Sequence, residues 1–135
     1  MSLDIVTRER EGVNILDLNG RITVGPEATA LREAVAAITS QGGKMVVLGM
    51  AGVDYVDSTG LGALVIVATS LRKSGGNVKL LNPNRRNIEL LVMTKLETVF
   101  EVFTDEQDAV NSFYPDRKIQ SFDILEFVRR MNREE

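Results

Sequence analysis

The order of segments in the middle of the chain constrains its fold more than any other feature. A short continuous apolar run, MVVLGM at 45–50, leads to a long helical pattern that ends near Lys73 and Gly75-Gly76, and VKLL follows at 78–81. A continuous apolar run marks a strand covered on both faces. The same alternation extends outward. Residues 3–7 and 13–19 read as two strands around Glu11-Gly12, with Gly20 ending the second. Gly25-Pro26-Glu27 starts a helix, with proline early and an acid in the first turn. Leu31, Val35 and Ile38, with Ala28 and Ala34, give that helix one apolar face, and Gln41-Gly42-Gly43 stops it. After a turn at Asn82-Pro83-Asn84 come a helix over 85–94, a short strand over 99–103 and a helix from Asp105 through Phe113. Strands alternating with helices predict an α/β layer fold, a mixed and partly parallel sheet with helices packed against it.

Such layers need a core, and 135 residues with 44% hydrophobic content suffice for one domain. The net charge of -3 supplies no basic face, so nucleic acid is not an expected partner. With no cysteine, disulfides, zinc-thiolate sites and thiol nucleophiles are excluded. With no histidine, the usual general base, metal ligand and physiological pH switch are also missing. The beginning MSLDIVTRER has no apolar leader core, and no apolar run approaches the length of a membrane span. The expectation is a cytoplasmic protein that is not an enzyme, needs no metal or cofactor and does not enter a membrane.

The stretch VDSTGLGALV at 56–65 concentrates the chemistry. A strand turns into a helix there, and Asp57 or Ser58 caps it where orphan N–H groups leave the helix end. Gly60 and Gly62 clear side chains from the first turns, so another molecule could approach the backbone. A phosphate on Ser58 would meet the positive end of the helix dipole and stand beside Asp57 and near Asp54, changing the field a partner sees. Residue types alone leave two readings open: an ordinary helix cap, or a surface built to receive a charge.

DYVDSTGLGALV at 54–65 resembles the signature of the STAS domain (sulfate transporter and anti-sigma factor antagonist). The likeness runs in order and spacing over about residues 3–113, including LNGRIT after the second strand, Gly75-Gly76 and Asn82-Pro83. It implies a STAS-like fold for residues 1–114, with 115–135 as a C-terminal helical extension. It also implies that Ser58 is a phosphorylation site, and position makes Asp57, Asp54, Thr59, Gly60 and Gly62 its neighbourhood; Thr23, in the loop after Gly20, and Ile66 and Val67, at the margin of an apolar helix stripe, are candidate partner contacts. The resemblance further implies an anti-sigma factor antagonist. Unphosphorylated, it binds a kinase-type anti-sigma factor, which itself holds the ATP; phosphorylation releases it and a serine phosphatase resets it. The alternative is a STAS scaffold or a subunit of a signalling or transport assembly.

Rival chemistries lack their parts. A receiver domain needs an acidic pair after its first strand to hold magnesium. A serine hydrolase built on Ser58 needs a base that no histidine supplies. GLG at 60–62 lacks the Gly-Lys-Ser/Thr ending of a phosphate loop.

Two apolar patterns are ambiguous. In the helix after Ser58, Leu61, Leu64, Val65, Ala68 and Leu71 form a core stripe that Ile66 and Val67 widen, either into more core or into a partner-facing margin. Beyond Pro115, Ser121 caps a further helix, FDILEFVRRMNR, with acids early and Arg129, Arg130 and Arg133 late. Its apolar face either packs on the same domain or makes a homodimer.

Overall fold

The structure, a computed structural model, describes residues 3–119 and 122–134. Five strands form one sheet in the order β1-β2-β3-β4-β5. They are β1 (Leu3–Arg10), β2 (Val13–Ile22), β3 (Met45–Val56), β4 (Asn77–Leu81) and β5 (Glu101–Phe103). The β1–β2 hairpin is antiparallel and every later pairing is parallel, because helices α1 (Pro26–Ser40), α2 (Ser58–Lys73) and α3 (Arg85–Met93) supply the crossovers. Helices α4 (Glu106–Asn111) and α5 (Ile124–Glu134) complete the chain. The mixed sheet with helices on it is the expected architecture.

Strand periodicity sorts the core into two layers. Leu16 and Leu18 of β2, Val46, Leu48 and Met50 of β3, and Val78 and Leu80 of β4 meet Leu31, Val35, Leu64, Leu71, Ile88 and Leu91 of the first three helices. The alternate positions Val13, Ile15, Val47, Leu81 and Phe103 meet Ala109 and Val110 of α4. MVVLGM is therefore covered on both sides, as its apolar run predicts. A band of charge pins α4 across the hairpin. Arg8 pairs with Asp17 at 2.7 Å and with Glu106, Arg10 reaches Glu106 at 2.6 Å, and Arg117 reaches Glu11 at 2.7 Å.

Several boundaries differ from the sequence reading. Gly20 does not end β2; the strand runs on to Ile22, with register irregularities on either side of Asn19 and Gly20, and Gly20 has φ 121°. β1 extends to Arg10, α4 stops at Asn111, and β5 begins only at Glu101. The largest departure is β3, which continues past Met50 to Val56. Its last residues pair with β2 alone, since β4 ends opposite Gly49. On the vacated side the Val53 carbonyl accepts from the side-chain amides of Asn84 (3.1 Å) and Asn87 (3.2 Å). The Asn84 side chain also caps α3, accepting from the Asn87 N–H at 2.8 Å. The Asn-Pro-Asn turn thus ties α3 to the overhanging strand.

The tail packs on its own domain. Ile124 and Met131 are buried, and Phe122, Phe127 and Val128 join the main cluster, so the apolar face that would pair with a second copy is covered within the chain. Ser121 lies outside the described residues; it is Asp123 that accepts from the Glu126 N–H at 3.0 Å, where α5 begins. Among the described residues no helix is long and apolar enough to cross a membrane.

Candidate partner-binding site

The overhang of β3 delivers the chain to the start of α2, and Asp57 organises that corner. Its N–H donates to the Ile22 carbonyl at 3.2 Å. Its carboxylate accepts from the Gly60 N–H at 2.7 Å and from the Val24 N–H at 3.0 Å. One side chain therefore caps α2 and holds the β2–α1 loop against it. The Gly60 and Val24 N–H groups, in that order of influence, keep the Asp57 carboxyl below its ordinary pKa. Of the two capping residues the sequence allowed, the structure selects Asp57. The Ser58 hydroxyl is thereby not needed to close the helix, and Ser58 and Thr59 stand exposed at its first turn.

The two glycines separate in role. A side chain at Gly60 would put its Cβ 1.8 Å from the Ile22 carbonyl oxygen, so this glycine serves the close approach of α2 to β2. That corrects the expectation that Gly60 clears space for another molecule; it is buried against its own chain. Gly62 faces open space and keeps the expected clearance.

Val67 needs a second correction. It is 2% exposed and packed in the main cluster, because Leu64, Val67, Ala68 and Leu71 fall on the face that α2 turns to the sheet. Ile66, one position earlier, is 50% exposed. Ser58, Gly62 and Ile66, four residues apart, lie along the outer face of α2. Thr23 is half-buried beside this corner, its carbonyl accepting from the Ala28 N–H at 3.1 Å, and Asp54 is exposed on β3.

The structure adds residues that the sequence reading passed over. A groove between α2 and α3 is lined by Tyr55, Ser58, Leu61, Arg86, Leu90 and Met93. Met93, Val24 and Tyr55 are 80%, 66% and 41% exposed; Tyr55 and Met93 share the groove with Ser58, and Ile66 lies about two turns further along α2. Val24 is placed by its N–H bond to Asp57, and Arg86 lies over the Tyr55 ring, 5.7 Å from its centroid. The available signal was spacing: Met93 falls two residues past Leu91, off the buried face of α3. Exposed apolar groups grouped around one polar residue suit contact with a protein. Among the described residues no cluster of acidic side chains is arranged to hold a metal ion.

The STAS domain profile matches residues 4–109, most of the chain and the whole of this corner. The chain belongs to the STAS domain family. This STAS domain is 29% identical over 110 residues to the anti-sigma-B factor antagonist of Bacillus subtilis, covering 82% of the chain and 99% of that protein. Its fold resembles that of a Thermotoga maritima protein, with TM-score 0.74, 23% identity and coverage of 80% and 92% of the two chains. It also resembles the Bacillus cell fate determinant SpoIIAA in its phosphorylated form, with TM-score 0.64, 17% identity and coverage of 82% and 99%. The matched region ends before α5, which therefore lies outside the part of the domain the profile describes.

Proposed function

We propose that this STAS domain is a cytoplasmic anti-sigma factor antagonist switched by phosphorylation of Ser58. The observation that carries the reading is an exposed serine at the first turn of α2, relieved of capping by Asp57 and sharing a groove with exposed Tyr55 and Met93, with exposed Val24 bonded to Asp57 and Ile66 further along the helix. The unphosphorylated surface binds a kinase-type anti-sigma factor. That partner holds ATP, the domain itself has no catalytic role, and a serine phosphatase reverses the modification. A phosphate adds about 1.5 to 2 negative charges. The helix dipole accommodates them, so the fold persists, while a partner surface fitted to the neutral serine is repelled. The similarity to the Bacillus subtilis antagonist supports this choice over a scaffold or transport-subunit role.

The test is affinity capture from native lysate with ATP added or withheld, followed by mapping of the phosphate by mass spectrometry. Phosphate is expected on Ser58, with capture weakened about a hundredfold, the effect of an interface penalty of about 3 kcal/mol. Ser58→Ala is expected to be retained in both conditions. Phosphate on Thr59 alone, or undiminished capture of the phosphoprotein, leaves Asp57-Ser58 as a helix cap and returns the scaffold reading.

A further inference from the structure

Arg86 has no assigned task in the site so far. It is the second residue of α3 and lines the same groove as Ser58, with its guanidinium over the Tyr55 ring. The other charges facing this groove are committed. Asp57 receives the N–H groups of Gly60 and Val24, and Glu89 pairs with Arg85 at 3.1 Å. Asp54 stands outside on β3 and is exposed. Among the described residues Arg86 has no carboxylate partner; its neighbour is an aromatic face, which a guanidinium leaves readily for an oxyanion.

Resting on the Ser58 reading above, we propose that Arg86 is the internal counter-ion for a phosphate on Ser58, moving from the Tyr55 ring to grip the phosphate across the groove. Modification then changes the surface twice. It adds negative charge at α2, and it withdraws from α3 the cation that, among the described residues, lines the groove without a carboxylate partner, uncovering the Tyr55 ring. A partner that used both the neutral serine and the arginine loses both contacts in one step. The phosphate is also held by two elements, the α2 terminus and the α3 side chain, which makes the modified form a defined state and not merely a repulsive one.

The experiment needs no kinase. Phosphoserine is incorporated at position 58 of the full chain during translation, and the phosphorus resonance is titrated against pH in the parent, Arg86→Lys, Arg86→Gln and Lys44→Gln proteins. A nearby cation favours the dianion, so the parent should titrate at a lower pH than Arg86→Gln. Arg86→Gln should raise the midpoint by about 0.5, a small effect because the groove is open to solvent. Arg86→Lys should fall between, since it keeps the charge and loses the fork, and Lys44→Gln, an exposed cation just before β3 at the end of the strand away from Ser58, should match the parent. Equal midpoints in the parent and Arg86→Gln overturn the proposal, as does an equal rise in Lys44→Gln, which would reduce the effect to general surface charge. Either result leaves the Ser58 switch standing, because that is judged by capture and by the mapped position of the phosphate.

Discussion

The band that pins α4 to the β1–β2 hairpin and the groove between α2 and α3 are both solvent-facing, yet their side chains are used in opposite ways. Around α4 nearly every long charged group meets another: Arg8 joins Asp17 and Glu106, Arg10 joins Glu106, and Glu11 joins Gln107 and Arg117. Glu106 is held down to about 2, first by Arg8 and then by Arg10. On the α2–α3 side the pattern is reversed, with much of the apolar surface of Val24, Tyr55, Ile66 and Met93 left uncovered by their own fold. A closed ion network has little left to offer a partner, whereas exposed apolar groups are repaid only when something covers them. The contrast is what the proposed function assigns to recognition at the α2–α3 face.

The sharpest division within that face runs between adjacent residues of α2. Val67→Asp puts an unpaired charge into the main cluster and should cost about 4 kcal/mol or more, abolishing the cooperative transition in a urea melt. A variant that melts normally would place Val67 outside the core and blur the boundary drawn here. Next in size is Gly60→Ala, where the added methyl meets the Ile22 carbonyl and should cost about 2 to 3 kcal/mol by the same melt. Gly62→Ala is its control. It has room for the methyl and should gain up to about 1 kcal/mol of helix stability, while capture of the partner falls if Gly62 provides clearance.

Ile66→Asp tests recognition without touching the core. Melting should change by less than about 0.5 kcal/mol, since the side chain is half exposed. Capture should fall about tenfold, equivalent to about 1.4 kcal/mol. Unchanged capture would remove α2 beyond its first turn from the interface. The smallest effect belongs to the opposite region. Glu106→Gln should destabilise by about 1 kcal/mol near neutral pH, allowing for solvent screening of the arginines. The folded carboxyl titrates below the ordinary 4.5, so its contribution is present above that value and is lost as pH falls from there to about 2. Parent and variant stabilities should therefore converge across that interval, and parallel curves down to pH 2 would show that the network contributes nothing.

Much of this was legible in the chain itself. Helix starts with their proline or acid, the two-sided apolar run at 45–50 and the alternating order of elements carry the fold, because these signals are local. The apolar stripe of α2 leaves Val67 open between core and margin: Leu64, Val67, Ala68 and Leu71 keep the helical rhythm, but Ile66 beside it is equally apolar, and only the sheet decides which of the two is covered. The motif itself announces a strand before Asp57, but its continuity with the run at 45–50 is not legible, since AGVDYV has no strand-like alternation and is kept extended by β2 on one side and two asparagine amides on the other. The exposed Val24 and Met93 were overlooked for a related reason. Apolar residues read as core until a fold shows which of them have nothing to pack against.

The Val53 carbonyl and its two amides bear on how fast and how tightly the groove can be used. One wall of the groove grows directly out of β3, and the other is bonded to the same strand through Asn84 and Asn87. The walls thus share an anchor and hold their separation in the free protein. The conformational entropy of assembling them was lost at folding and is not charged again at encounter. For the proposed partner, less of the contact energy from the exposed side chains is then offset by ordering, and the expected association is rigid-body docking without a rearrangement of the groove.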